Sequence, residues 1–439
     1  MIRDGLWVAC SHPYIQIAAP NRPILLGSEP GRLQLRGDSL EAKLTAYVTT
    51  VPRPLVSLEV ELPPYFGVDF SKETEAIFLS TGITVPCRIL KGNMFSTAPS
   101  TIWLRPLQEI TQGALSAAVS KVVFAIPNFP DFLAHGFVRA LPRGGAKRED
   151  EIRLQFSDWS VTIENTTDIA ERKESLTDDG GFGITALGVL ERTDRQPFSW
   201  DDAAPQVEAL RVFLSFVCGR WTGPMLPAGV NSADEPVWFR WSVPLVDQGL
   251  FAVTWFDNHH GTVLTDLAPG FMAKWNDPLW KEAFSYAIYW FVRANSAAAG
   301  ADGSLILSQA ALETLSWTYL VSISGMSRTK FKSLTAAEAI RQLLTTLSIP
   351  SVVPAALASL QILASTCIPA DGVSAVVAVR NGLAHPEKHK TVMPVIEAWT
   401  LGQRFVELVI LRLCAFNGEH ANRTNMVRWV GQVERLPWA

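Results

Sequence analysis

RLQFSDWSVTIEN, Arg153 to Asn165, decides how the first part of the chain folds. Leu154 and Phe156 alternate with polar residues, Ser157-Asp158 supplies a turn, and Trp159, Val161 and Ile163 then alternate again. A side-chain period of two on both sides of a two-residue turn is the pattern of a β-hairpin with one buried face. Working outward, Ser57–Leu62 (SLEVEL) alternates in the same way. Ile83–Leu90 and Lys121–Ile126 (KVVFAI, closed by Pro127) read as further strands, and Val237–Val243 and Phe251–Phe256 as buried ones. Prolines at 52, 54, 63 and 64 suit edges and turns and would break helices. Arg143–Asp150 and Glu171–Gly181 are charged, glycine-bearing and poor in apolar residues, which predicts loops and possible boundaries. One helix interrupts this texture, Pro205–Cys218, with Val207, Leu210, Phe213, Leu214 and Val217 at helical spacing and Gly219 to end it.

The texture changes at Asp277-Pro278, an N-cap followed by proline at the first helical position. Apolar residues then recur at helical spacing over Leu279–Ala294, Ser304–Ser322, Thr335–Leu347, Pro354–Ser365, Gly372–Leu383 and Pro394–Phe416. Thr335 and Glu338 form a capping box. Short connections between such helices predict a bundle. The fold class expected is therefore α+β: a large β-rich, sandwich-like region over 1–268, with its helix near 205–218, followed by an all-α bundle over 269–439.

Composition sets the limits. The chain has 439 residues, 48% hydrophobic and 18% charged, with 15 tryptophans, which fits two or three core-rich domains rather than a disordered chain. No apolar stretch is long enough to span a bilayer, and Met1-Ile2-Arg3-Asp4 lacks a signal-peptide core, so a cytoplasmic protein is expected. Five cysteines stand singly without a CxxC pair, which argues against a disulfide framework or a thiolate zinc site. Asp257-Asn258-His259-His260 reads as a polar turn, since adjacent histidines on a strand point to opposite faces and do not chelate one ion. Neither metal nor cofactor is expected. The net charge of −4 divides unevenly: residues 270–439 hold 15 Lys+Arg and 11 Asp+Glu, net +4, which leaves −8 for residues 1–269. A basic half beside an acidic one is compatible with a nucleic-acid partner and with restraint of one half by the other.

The stretch with chemical content is Ala378-Val379-Arg380-Asn381-Gly382-Leu383-Ala384-His385-Pro386. Gly382 terminates a helix and Pro386 disfavours helical dihedrals at His385, so Arg380 and His385 sit together at a helix end. A neutral imidazole can take a proton from a ribose 2′-hydroxyl while a guanidinium grips the phosphate by forked hydrogen bonds. On spacing alone, Arg380 capping the helix C-terminus and His385 filling a loop is the favoured reading.

Arg380-Asn381-x-x-x-His385, followed by Pro386, resembles the signature of the HEPN domains (higher eukaryotes and prokaryotes nucleotide-binding). The likeness extends over about 150 residues, from Asp277 to Phe416. It includes a preceding helix with Gln309-Ala310-Ala311-Leu312-Glu313-x-Leu315 and a long helix after the motif. The resemblance implies a metal-independent endoribonuclease. His385 would be the acid/base, Arg380 the phosphate ligand, and Asn381 would orient the histidine or the RNA. Glu313 would be a supporting polar contact, or else an ordinary surface residue of its helix. Lys388 and Lys390 would contact RNA phosphates. The resemblance further implies an RNA substrate, a homodimer formed through the helical domain, and a 2′,3′-cyclic phosphate product. With a β-rich region in front, the arrangement is similar to ApeA-like anti-phage abortive-infection proteins, where that region senses a phage-derived trigger. The alternative keeps the fold without catalysis, as a HEPN dimerisation or nucleotide/RNA-binding module.

Overall fold

The computed structural model describes residues 12–35, 38–64, 73–93, 97–140, 146–249, 252–296, 300–384, 393–425 and 427–439. Its first six strands are β1 (Ile24–Leu35), β2 (Asp38–Thr49), β3 (Leu55–Leu62), β4 (Glu73–Phe78), β5 (Thr84–Asn93) and β6 (Ser100–Pro106). They close into an antiparallel barrel in the order β1-β2-β3-β6-β5-β4. Alternate residues such as Leu44, Ala46 and Val48 of β2 point inward and are fully buried, as strand geometry requires. Closure removes the free edges that open sheets must protect.

The second sheet is open and has eight strands: β7 (Ile110–Gly113), β8 (Lys121–Pro127), β9 (His135–Ala140), β10 (Ala146–Phe156), β11 (Trp159–Asn165), β12 (Ile184–Arg192), β13 (Met225–Val230) and β14 (Pro236–Trp241). Their order is β7-β14-β13-β8-β12-β11-β10-β9. The predicted hairpin is β10–β11, with Phe156 opposite Trp159 and Ser157 at a φ of 55° in the turn. The expected sandwich takes the form of a barrel packed on an open sheet. One face of that sheet packs on the barrel and the other on helices, so β8 is buried on both sides. Phe124 and Ile126 join the helical core, whereas Ala125 between them joins the barrel core.

Two stretches read as loops are regular structure. Residues 146–150 belong to β10, while 141–145 lie outside the described residues. Ile169–Asp179 is helix α1 despite its charge. Its Arg172 is buried, donating to Asp168 (2.6 Å) and to the Ala18 carbonyl (2.6 Å), so a tertiary contact holds a helix that its apolar content alone would not. Helix α2 (Trp200–Cys218) begins a turn before Pro205, at the capping box of Ser199 and Asp202, and ends at Gly219 in the left-handed region.

The strand expected at Phe251–Phe256 is not one. Residue 251 lies outside the described residues, and 252–256 run as irregular chain. Side chains replace the strand ladder there. Thr254 donates to the Val217 carbonyl (2.9 Å), and the Trp255 N–H is accepted by Glu407 (3.1 Å). Asp257 then caps a 3-10 turn, Asn258–His260.

The helical part comprises α3 (Val263–Trp275), α4 (Pro278–Asn295), α5 (Gly300–Trp317), α6 (Arg328–Lys332), α7 (Ala336–Thr346), α8 (Ala358–Ser365), α9 (Gly372–Ala384) and α10 (Val395–Leu413). A π-helical turn, Thr318–Ile323, follows α5. Asp277 caps α4 by accepting from Leu279, and Thr335 and Glu338 form the capping box of α7, both as the sequence indicates. Position 268, taken as the division between the two parts, lies inside α3, and the helices share one core with the sheet. Phe213 of α2 meets Phe271 of α3 edge-on, and Phe216 packs on Trp255 and on Phe291 of α4. Among the described residues no helix is long and apolar enough to cross a membrane.

Candidate functional site

Helix α9 carries the candidate site and is fixed at its beginning by an ion pair. Arg341 of α7 donates to Asp371 from Nε (2.5 Å) and Nη2 (3.2 Å), and its Nη2 also reaches the Ser374 hydroxyl (2.7 Å). Asp371 in turn accepts the Ser374 N–H (2.7 Å), which satisfies one of the open donors of the first helical turn. Burial pushes the Asp371 carboxyl up. The Arg341 guanidinium and the two Ser374 donors outweigh it and hold the group below its usual range. Val373, Val376 and Val379 then bury one face of α9 against the bundle.

Arg380 and Asn381 stand on the last turn of α9, both half-buried. The Arg380 Nη1–H donates to the Asn381 side-chain carbonyl (3.3 Å). Its Nε is buried and has no hydrogen-bond partner among the described residues. A guanidinium donor shielded from water without an acceptor is costly, and an anion is the natural group to relieve it. Asn381 thus touches Arg380, while the histidine it is expected to orient lies outside the described residues.

His385, Lys388 and Lys390 lie outside the described residues. The chain returns at Met393, whose methyl would stand 2.1 Å from a Cβ placed on Gly382. The Met393 thioether thus occupies the space beside Gly382 on α9. Glu313 is exposed on α5, the helix that packs against α9 and α10. It accepts a hydrogen bond from Gln309 (2.6 Å), which is buried at 3% exposure. This places Glu313 on the surface of its helix with its carboxylate turned back towards a buried amide, and no hydrogen bond joins it to Arg380.

One buried constellation was not anticipated. Glu407, in the middle of α10, forms an ion pair with Arg423 through both oxygens (2.7 and 3.0 Å). Arg423 also donates to the Val253 carbonyl (2.8 Å) and to Asn295 (3.3 Å), while Asn295 donates to the carbonyls of Gly219 and Val253. The irregular segment 252–256, the end of α2, the end of α4 and the middle of α10 thus meet on one polar knot. The signal was a single carboxylate inside the apolar run FVELVIL of the last helix, where a charge needs a partner.

Two separate stretches of the chain match known families. Residues 115–251 match the family described as the YopA central domain, and residues 277–434 the YopA C-terminal domain. The second match begins at the N-cap of α4, and the interval left between the two holds segment 252–256 and α3. A particular relative is the SPbeta prophage-derived uncharacterized protein YopA of Bacillus subtilis (strain 168). It is 27% identical over 327 residues, which cover 73% of this chain and 72% of the relative. No solved structure matches the chain.

Proposed function

We propose that the helical part is a metal-independent endoribonuclease of HEPN type, acting on single-stranded RNA as a homodimer in the cytoplasm, with the β-rich part sensing a trigger. The observation that supports this reading is the buried Nε–H of Arg380 on the last turn of α9, which has no hydrogen-bond partner among the described residues. A phosphate oxygen is its chemical complement. The His385 imidazole would take the proton of a ribose 2′-hydroxyl, whose oxygen then attacks the adjacent phosphorus. The bond to the 5′-oxygen breaks, and that oxygen leaves as a hydroxyl with a returned proton. The products are a 2′,3′-cyclic phosphate and a 5′-hydroxyl. Arg380 would stabilise the added negative charge of the transition state, and Asn381 would hold the guanidinium by the bond it already accepts. Lys388 and Lys390 would hold flanking phosphates. The prophage origin of the relative gives a phage-related context, in keeping with a role in anti-phage defence and a phage-derived trigger.

The test is cleavage of a single-stranded RNA by the full chain in EDTA, read for the cyclic phosphate end. Replacing His385 by Ala or Arg380 by Gln should lower the rate by roughly 100-fold or more with unchanged circular dichroism. Equal cutting by either variant refutes the mechanism. One observation favours a second reading, a non-catalytic RNA-binding or dimerisation module: Asn381 bonds Arg380 within a single helix, which needs no substrate. RNA binding that depends on Arg380, in a chain whose cells tolerate overexpression and whose triggered form cuts nothing, would establish it instead.

A further inference from the structure

Between Glu313 and Glu338 the chain holds no acidic residue and three cations, Arg328, Lys330 and Lys332, all on α6. All three are exposed, and none forms an ion pair with a described residue. Other exposed lysines do have such a partner: Lys43 has Glu61 (3.0 Å) and Lys173 has Asp131 (3.0 Å). The acid that follows, Glu338, is turned back to Thr335, accepting its N–H (2.7 Å) and its hydroxyl (2.8 Å). Like charges gathered on one short helix repel, and an anion laid across them relieves the repulsion.

The helix that carries these charges is held in place. Ser327 caps it by accepting the Lys330 N–H (3.2 Å), and the Met326 N–H just before it donates to the Leu320 carbonyl (2.9 Å). Phe331 meets Trp317 of α5 edge-on, with ring centroids 5.0 Å apart. With Phe331 turned to α5, helical geometry puts Arg328 and Lys332 on one flank, Lys330 on the other and Thr329 outward between them. Trp317 follows Glu313 by four residues, so the strip of α5 that carries Glu313 runs on to α6.

We infer that α6 is a docking arm for single-stranded RNA, which holds the phosphates of a stretch of the strand other than the one at Arg380. This rests on the reading of the helical part as acting on RNA. The Arg328 guanidinium grips a phosphate by forked hydrogen bonds, the two lysines act as point charges, and the exposed Ser324 and Thr329 hydroxyls can donate to phosphate oxygens. An anionic membrane asks for a long apolar face beside the charges. Helix α6 has five residues with Phe331 already engaged, and Ile323 on the preceding turn, 50% exposed, is a single side chain.

Fluorescence anisotropy with a labelled oligouridine of about 20 nucleotides tests this on the full chain carrying His385→Ala, which keeps the strand intact. At about 0.7 per contact on a single strand, three phosphate contacts contribute about 2 to the slope of log K against log salt. Arg328→Gln, Lys330→Gln and Lys332→Gln together should remove that part of the slope and weaken binding about tenfold or more at about 0.1 M salt. Arg22→Gln, Arg32→Gln and Arg53→Gln, the same change of charge at exposed positions around the barrel, should leave both nearly unchanged. Lys330→Arg with Lys332→Arg, which keeps the charge, should bind as the parent does. The readout separates this inference from the nuclease reading. RNA binding through α6 by a chain whose His385 form cuts nothing leaves the inference standing without the nuclease, and parental affinity and cutting in the triple α6 variant do the reverse. No RNA binding up to about 0.1 mM chain, an unchanged slope in the triple α6 variant, an equal loss in the barrel or the arginine variant, or tighter binding to phosphatidylserine vesicles or poly-glutamate than to RNA overturns the proposal.

Discussion

Replacing Arg423 by Met tests the polar knot that joins the two parts of the chain. The Arg423 and Glu407 side chains are 3% and 2% exposed, so the substitution leaves a buried carboxylate whose remaining hydrogen bond is the N–H of Trp255. Removing one member of such a pair costs about 3–5 kcal/mol, because the partner keeps its desolvation penalty and loses its compensation. The core continues from Val119 in the sheet to Leu436 near the C-terminus, so the two matched regions should unfold as one unit spanning residues 115–434. At about 2.1 cal/mol/K per residue, the unfolding entropy of that unit is about 0.7 kcal/mol/K. The loss then lowers Tm by about 4–7 °C. The pair of substitutions Arg423→Met with Glu407→Leu should be milder than the first alone. It exchanges both charges for apolar volume and leaves only neutral groups unpaired, at about 1–3 kcal/mol. Scanning calorimetry on the three proteins reads the order directly. A single variant within about 1 kcal/mol of the parent, or a double variant less stable than the single one by a further full deletion, refutes the reasoning.

Two other expectations follow from local geometry. Gly270 of α3 packs against the end of α10 so closely that an added Cβ would stand 1.8 Å from the Cys414 carbonyl oxygen. Since the obstacle is backbone, Gly270→Ala should cost about 3 kcal/mol or more, against the small gain usual for this change in a helix; a stabilised variant in urea unfolding contradicts the packing. Stability should also fall as pH drops from about 6.5 towards 4. Burial lowers His12 and His420 to about 4 each, with the nearby Arg404 adding to the effect at His420. A histidine held neutral in the fold but protonated when unfolded contributes fully above its ordinary value of 6.5, and the contribution is lost as pH falls to the folded value. His12→Gln should flatten part of that slope, and an unchanged slope in both His12→Gln and His420→Gln would show that neither ring is held neutral.

What could be read from the sequence was whatever local pattern alone determines. The β10–β11 hairpin needs only alternation and a two-residue turn, and α4 and α7 only their caps, so these elements stand where expected. Arg380 and Asn381 fall on the last turn of α9, although the helix runs through Gly382 to Ala384 and does not end at the glycine, and Pro386 lies outside the described residues. The errors lie where distant contacts decide. Helix α1 has little apolar surface and depends on Arg172 reaching Ala18, a contact 154 residues away in sequence. Segment 252–256 has strand composition, but Glu407 and Thr254 supply the bonds a neighbouring strand would have offered. Closure of the barrel rests on β1 meeting β4, a register that no turn between adjacent strands specifies.

The shared core bears on how a β-rich part could govern a helical one. A bundle cut at residue 269 would lose the first half of α3 and expose Phe271 and Phe291, which now pack on Phe213 and Phe216 of α2. Such a fragment should be insoluble or molten in circular dichroism, so release of an intact helical domain is a poor description of any trigger. The coupling available is mechanical and short. Segment 252–256 is clamped to Glu407 of α10, and α10 packs along α9, whose last turn carries Arg380. A perturbation of the β-rich part that moves this segment must either break a buried ion pair or carry α10 with it. If a trigger acts on the chain, hydrogen exchange should therefore change together in 252–256, α10 and the end of α9, with β1–β6 read for comparison. Exchange altered at α9 with segment 252–256 unmoved would place the route elsewhere.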